Sequence, residues 1–174
     1  MYNTLIKNIL TFIGLLLLQV LVFDNIRFGN FIHPVIYVLF IMVLPFKTPH
    51  WRLILNGFLM GIVIDIFDGT PGLNAAATTL AAYLRPYVIG IMTRKSELEK
   101  KEKPTVELMG FSWFLVYSLI ILFFHNFAFF LLEAFSFKLS GVVFLEILIS
   151  VPVSAFVILL LLYLFKPIKK NKNL

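Results

Sequence analysis

Two kinds of residue in this chain could do chemistry: paired carboxylates and histidines. Asp65 and Asp68 are three residues apart at a helix end, but no adjacent base or ligand accompanies them. The three histidines (His33, His50 and His125) are spread along the chain, whereas a zinc site needs three or four converging ligands. GxSxG, HExxH and Walker patterns are absent from the sequence. We therefore predict no catalytic residue, no metal site and no cofactor.

The composition places these residues in a membrane protein. Of the 174 residues, 60% are hydrophobic and 14% are charged, and the mean hydropathy is +0.96. A soluble domain carries about 25% charged residues, and a globule of this size could not hide so much apolar surface. This excludes a soluble enzyme, a disordered regulator and a nucleic-acid-binding domain. Cysteine is absent, which excludes disulfides and thiolate metal sites.

Apolar runs along the chain predict an all-α, polytopic membrane helix bundle that forms one integral domain. A spanning helix needs about 20 apolar residues for a hydrocarbon core of about 30 Å. The second and third runs are short for this, so we expect them to be tilted, buried among neighbours or paired as a shallow hairpin. Six runs are found, at residues 5–23, 34–46, 53–67, 73–92, 108–132 and 139–165.

The distribution of basic residues predicts that both termini are cytoplasmic. A charged loop, 93–107, follows the fourth run, and a basic tail, 166–174, closes the chain. With six spans, 12 of the 15 basic residues lie on one side, which the positive-inside rule assigns to the cytoplasm. There they meet anionic lipid headgroups, so the net charge of +6 does not indicate nucleic acid. The 12 are Lys7, Lys47, Arg52, Arg94, Lys95, Lys100, Lys101, Lys103, Lys166, Lys169, Lys170 and Lys172.

A stripe of small residues in the third run ends in an acid. Gly57, Gly61 and Asp65 are spaced by four, so they share one helical face, and glycines at this spacing let two helices approach closely. The small residues at 75–82 repeat the pattern after a turn that ends at Gly72. Two interpretations stay open: internal packing, with Asp65 bonded to loop backbone, or a face for a partner or a second copy. In the packing case, Asp65→Asn should do little.

Two ionisable residues fall inside predicted spans. Arg85 lies in the fourth run, beside Pro86, and Glu146 lies in the sixth. Intramembrane charges usually face the interior of a bundle. Arg85 is predicted either to extend its guanidinium to the headgroups or to pair with Glu146.

A longer pattern resembles a known family. The stretch GFLMGIVID at 57–65, followed by GLNA at 72–75, strongly resembles the bacterial rod shape-determining protein MreD family. Leu16–Gln19 and Pro34, which opens the second run, are similar to that family as well. The resemblance is close over residues 34–92, and the second half of the chain matches as hydrophobic helices.

Membership of that family implies a non-enzymatic subunit of the cell-elongation complex in the bacterial inner membrane. It implies association with the single-span protein MreC and, indirectly, with the MreB filament and the enzymes that insert peptidoglycan. It also implies a fold similar to the substrate-binding membrane subunit of energy-coupling-factor transporters. A vitamin-binding transporter subunit is therefore the alternative, although the predicted outer loops are short for a binding pocket.

Overall fold

A computed structural model describes residues 2–24, 34–134 and 141–164, and these segments contain helices and no β-strand. The basic tail, 166–174, lies outside the described residues, as do parts of both longer outer loops and the ends of the sixth predicted run.

Eight α-helices are described. Helix α1 continues directly into a π-helical turn at Gln19–Phe23. The helices are α1 (Tyr2–Leu18), α2 (Leu39–Val43), α3 (His50–Asp68), α4 (Leu73–Met92), α5 (Lys95–Leu98), α6 (Val106–Met109), α7 (Phe111–Glu133) and α8 (Gly141–Leu164).

Four of these segments are long and apolar enough to cross a membrane, so the chain is a helical membrane protein. They are Ile6–Phe23, His50–Asp68, Phe111–Glu133 and Phe144–Leu164. Helix α4 has 20 residues, which corresponds to about 30 Å of helix, but polar residues such as Asn74, Thr78 and Arg85 lower its hydropathy. The prediction of a membrane helix bundle is confirmed at this level.

The second predicted run is not a spanning helix. Only Leu39–Val43 is helical there, and five residues rise only about 7.5 Å. Leu44 leaves the helical conformation, with ψ at 147°, because the residue before a proline (here Pro45) avoids the helical region. Residues 35–42 are nevertheless buried, with exposures of 0–8%. The run is therefore buried among its neighbours, which was one of the three expected arrangements.

Helix α4 is the centre of the bundle. It packs against α3 on one side and α7 on the other, and α7 packs against α8. Helix α1 lies at the periphery, since 11% of its spanning segment is buried inside the bundle, against 33–44% for the other three spans. The predicted loop at 93–107 contains the short helix α5 and the start of α6. The backbone N–H of Phe46 donates to the Glu102 carbonyl of this loop across 3.1 Å.

Candidate functional site

The residues that the sequence singled out meet where α3 crosses α4. A Cβ atom at Gly57 would lie 2.8 Å from the Ala82 Cβ and 2.9 Å from the Thr78 carbonyl oxygen. A Cβ at Gly61 would lie 2.4 Å from the Ala75 Cα. Distances below 3.0 Å are clashes, so the helices approach as closely as they do because these positions have no side chain. The glycine face of α3 is thus occupied by α4.

Asp65, one turn further along α3, accepts hydrogen bonds at the start of α4. Its Oδ1 accepts from the Asn74 N–H across 2.9 Å, and its Oδ2 accepts from the Ala75 N–H across 2.9 Å. The Thr70 hydroxyl also donates to Oδ1. Asp65 is 4% exposed, and an anion at a helix N-terminus satisfies free N–H groups and interacts favourably with the helix dipole. The acid is therefore part of the α3–α4 hairpin.

The turn between the two helices depends on two glycines with positive φ. Gly69 ends α3 at φ 69°, and Gly72 begins α4 at φ 83°. Open space surrounds a Cβ built on either residue, so the requirement for glycine is conformational. The Gly72 carbonyl accepts from the Ala76 N–H across 3.0 Å, which starts the helical ladder of α4.

Asn74 joins the hairpin to the buried segment 34–46. Its Nδ2 donates to the Asp68 carboxylate and to the Thr70 hydroxyl oxygen, each across 3.2 Å. The Thr70 proton is already donated to Asp65, so the Thr70 oxygen must act as an acceptor here. This fixes the amide orientation, and Asn74 Oδ1 accepts from the Tyr37 hydroxyl across 2.7 Å.

His125 completes this buried network from α7. Its Nε2 lies 2.9 Å from the Tyr37 oxygen and 3.3 Å from the Thr78 oxygen. Both hydroxyl protons are already donated, by Tyr37 to the Asn74 side chain and by Thr78 to the Asn74 carbonyl. Nε2 must therefore carry the proton and donate. Nδ1 is buried without a partner in the described part of the chain.

The donor and acceptor roles in this network predict the tautomer of His125. In the folded protein, the ring should be the Nε2–H form, with Nδ1 unprotonated. Nitrogen-15 NMR of the histidine-labelled chain in detergent would identify the form from the two ring-nitrogen shifts. Tyr37→Phe removes one acceptor, so it should shift the Nε2 resonance more than the Nδ1 resonance. An Nδ1–H tautomer in the unsubstituted protein would contradict the network.

Side chains from the π-helical turn after α1 and from α8 hold the start of the buried segment. Gln19 donates from Nε2 to the Pro34 carbonyl across 3.1 Å and accepts the Ile36 N–H at Oε1 across 2.9 Å. Ser154 accepts the Val35 N–H across 2.9 Å. Because these backbone groups have no helical partner, side chains satisfy them in the apolar interior.

Arg85 and Tyr117 hold the other end of the segment. The Arg85 guanidinium donates to the Leu44 carbonyl, and the Tyr117 hydroxyl donates to the Met42 carbonyl across 3.1 Å. Arg85 is 1% exposed, so it does not extend to the headgroups. Its observed partner is a carbonyl at the end of α2, where a cation is favourable, rather than the predicted Glu146, which lies half-buried on α8.

The structure thus brings Gly57, Gly61, Asp65 and Gly72 together at the α3–α4 crossing and turn, whereas Arg85 lies further along α4 and Glu146 lies on α8. Sequence reasoning gave no role to the polar residues that organise the segment 34–46. The sequence does mark these residues, because each one is a polar side chain within an apolar run or beside one. They are Gln19, Tyr37, Asn74, Tyr117, His125 and Ser154.

Comparisons of the chain with protein-family models, with curated proteins and with solved structures give no match. The resemblance of residues 57–75 to the MreD family therefore stays a prediction.

Proposed function

We propose that this chain is a non-enzymatic membrane subunit of the bacterial cell-elongation complex, similar to MreD. In this role it helps to determine cell shape by linking MreC and the MreB filament to peptidoglycan synthesis. The supporting observation is that the residues carrying the resemblance form one structural unit. Gly57 and Gly61 allow the close crossing, Asp65 accepts the first N–H groups of α4, and Gly72 supplies the turn.

A rigid bundle suits such a role. The polar side chains of the hairpin bond inward to backbone and to each other, while the outer surface offers apolar side chains to lipid or to a partner helix. In a bilayer, helices associate by packing rather than by the hydrophobic effect. A subunit that works by packing needs a fixed shape, and the α3–α4 hairpin supplies it.

The same proposal includes six crossings of the inner membrane, with both termini in the cytoplasm and a fold similar to the membrane subunit of energy-coupling-factor transporters. Segment 34–46 would make the second crossing as a buried, largely non-helical segment. Two contacts support this. Gln19, near the end of the first span, holds Pro34, whereas Phe46 bonds to Glu102 in the predicted cytoplasmic loop.

Reporter fusions test the orientation. A fusion after Lys100 should be fluorescent and without phosphatase activity, because the loop at 93–107 is expected to be cytoplasmic. A fusion after Gly69, in the α3–α4 turn, is the matched control and should show the reverse. Phosphatase activity at Lys100 would contradict the six-span arrangement.

Depletion tests the function. Removing the protein from its native rod-shaped cell should make the cells wider and then round, and expression of the unsubstituted chain should restore rods. Rods of normal width after complete depletion would contradict the proposal.

One observation favours the transporter alternative. Tyr37, Asn74, Thr78 and His125 converge in the interior, and His125 Nδ1 is left as an acceptor without a described partner. Small-molecule sites combine a few such polar groups with apolar walls. Saturable binding of a vitamin to the purified protein, abolished by His125→Phe, would favour this alternative over the scaffold.

A further inference from the structure

Aromatic and basic side chains gather on the surface where α3 begins beside α4. We call His50, Trp51, Arg52, Tyr83 and Tyr87 the aromatic–basic patch. The His50 ring lies 5.2 Å from the Tyr83 ring and 5.8 Å from the Tyr87 ring, and the two tyrosine rings are 5.4 Å apart. The Arg52 guanidinium lies over the Trp51 indole at 5.1 Å. The five side chains form two clusters, and these are consecutive along the chain because His50 of the first cluster precedes Trp51 and Arg52 of the second.

The patch is unusually open for so many rings. Trp51 is 61% exposed, Tyr87 is 52% exposed and Tyr83 is 45% exposed. Tryptophan and tyrosine at the ends of spanning helices place apolar ring bodies in the acyl region and polar tips at headgroup level. This pattern favours a lipid interface over a soluble-protein contact.

The polar tips of the patch are mainly donors. His50 Nε2 lies 3.2 Å from the Tyr83 carbonyl, which can only accept, so this nitrogen carries a proton. Tyr87 and Tyr83 share a side-chain hydrogen bond in which Tyr87 donates, so the Tyr83 proton is the one left for another acceptor. The Arg52 guanidinium lies over the Trp51 ring and carries five N–H donors.

At the start of α3 and the end of α4, the charged side chains near the patch are basic. Arg52 and the neighbouring Lys47 are exposed, as is Arg94 just after α4. The acids of α3, Asp65 and Asp68, lie at the opposite end of that helix. The acids Glu97, Glu99 and Glu102 lie in the loop after α4, outside the patch. Arg52, which belongs to the patch itself, therefore attracts an anion and repels the ammonium group of a zwitterionic headgroup.

We propose that the aromatic–basic patch binds the headgroup of an anionic phospholipid in the cytoplasmic leaflet. Arg52 pairs with the phosphodiester, the Tyr83 hydroxyl donates to one of its oxygens, and the Trp51 ring packs on the upper acyl chain. The proposal depends on the orientation proposed above, in which the start of α3 is cytoplasmic. It does not depend on the role in cell elongation.

Brominated lipids test this directly, because bromine quenches a tryptophan that it touches. The chain has two tryptophans, so Trp113→Phe leaves Trp51 as the only reporter. This full-length variant is reconstituted into phosphatidylcholine bilayers, and brominated phosphatidylglycerol or brominated phosphatidylcholine is titrated in. We expect phosphatidylglycerol to be preferred at Trp51. Arg52→Gln should reduce the preference about fivefold, as removal of one basic group near the surface implies.

Matched variants distinguish lipid binding at the patch from attraction by diffuse surface charge. Lys100→Gln removes one exposed positive charge from the loop and should leave the preference intact, whereas Tyr83→Phe keeps the ring and should reduce it about twofold. Native mass spectrometry of the unsubstituted chain and of Arg52→Gln measures lipid retention without fluorescence.

Three results would overturn the proposal. The first is equal quenching by the two lipids, which would leave the patch as a protein-binding face or an ordinary interfacial belt. The second is an equal loss in Lys100→Gln and Arg52→Gln, which would indicate diffuse attraction only. The third is displacement of phosphatidylglycerol by free glycerol phosphate, which would indicate a site for a soluble anion.

Discussion

Gly61→Ala is expected to remove a large share of the protein's stability, although it adds only one methyl group. The new Cβ would lie 2.4 Å from the Ala75 Cα and 2.5 Å from the Asn74 carbonyl oxygen. Both are backbone atoms, so no side-chain rotation relieves the clash and the two helices must separate. We expect a loss of about 3 kcal/mol, the upper end for overpacking, out of a total stability of about 5–15 kcal/mol. Gly61→Leu should abolish folding.

The unfolding midpoint and the yield of monodisperse protein in detergent measure this effect. Gly90→Ala is the matched control, because Gly90 is helical and open space surrounds a Cβ built on it. Gly14→Ala in α1 is a second control of the same kind. A Gly61→Ala protein as stable as Gly90→Ala would show that α3 and α4 do not cross as described.

Asp65→Asn is expected to be the next most damaging substitution. Both carboxylate oxygens accept N–H groups, one from Asn74 and one from Ala75. An asparagine has one oxygen and one NH₂ group, so a donor would face a donor at one of these positions. Hydrogen bonds to charged groups contribute about 1.5–3 kcal/mol each, so we expect a loss of about 2–3 kcal/mol. The sequence-based expectation that Asp65→Asn does little under the packing interpretation is thereby revised.

Asp68→Asn is the matched control for this change. Asp68 is exposed and has side-chain hydrogen bonds with Asn74 and Asp24. An asparagine oxygen can still accept from Asn74, and its NH₂ group can donate to Asp24. Asp68→Asn should therefore remain close to the unsubstituted stability, while Asp65→Asn should also lose hydrogen-exchange protection at the Asn74 and Ala75 amides. Normal protection of these two amides in Asp65→Asn would contradict the role of the Asp65 carboxylate as the acceptor of both N–H groups.

The hairpin could be predicted from sequence because its determinants are local. Gly57, Gly61 and Asp65 repeat every four residues on one helix, and the turn ending at Gly72 comes directly afterwards. A single helical period relates the first three residues, and a tight turn forces the following helix back onto them. The pattern left open whether the face met α4 or a partner, since both have the same spacing.

The buried segment could not be predicted in the same way. Residues 34–46 are as apolar as a spanning helix, and an apolar composition does not distinguish a helix in lipid from an irregular segment inside a bundle. The segment can be irregular because side chains such as Gln19 and Ser154 form hydrogen bonds with its backbone groups. Ser154 is 119 residues away from Val35, and no local period relates the two.

The partner of Arg85 was missed for a related reason. A sequence shows which acidic side chains could pair with a guanidinium. Every residue has a backbone carbonyl, so the sequence does not show which carbonyl is free to accept. Leu44 offers such a carbonyl because α2 ends there, before Pro45. The Leu44 carbonyl is therefore available to Arg85 because the helix in the second run ends at this residue.

Co-purification from the native membrane tests the central proposal most directly. The chain carries a C-terminal tag, is expressed at its native level and is extracted in mild detergent, and the recovered proteins are quantified by mass spectrometry. The account predicts that an MreC-like single-span protein is enriched together with wall-synthesis enzymes, and that a tagged, unrelated polytopic protein recovers neither. An intact, correctly inserted protein that recovers no MreC-like protein, in several detergents and after cross-linking, would contradict it.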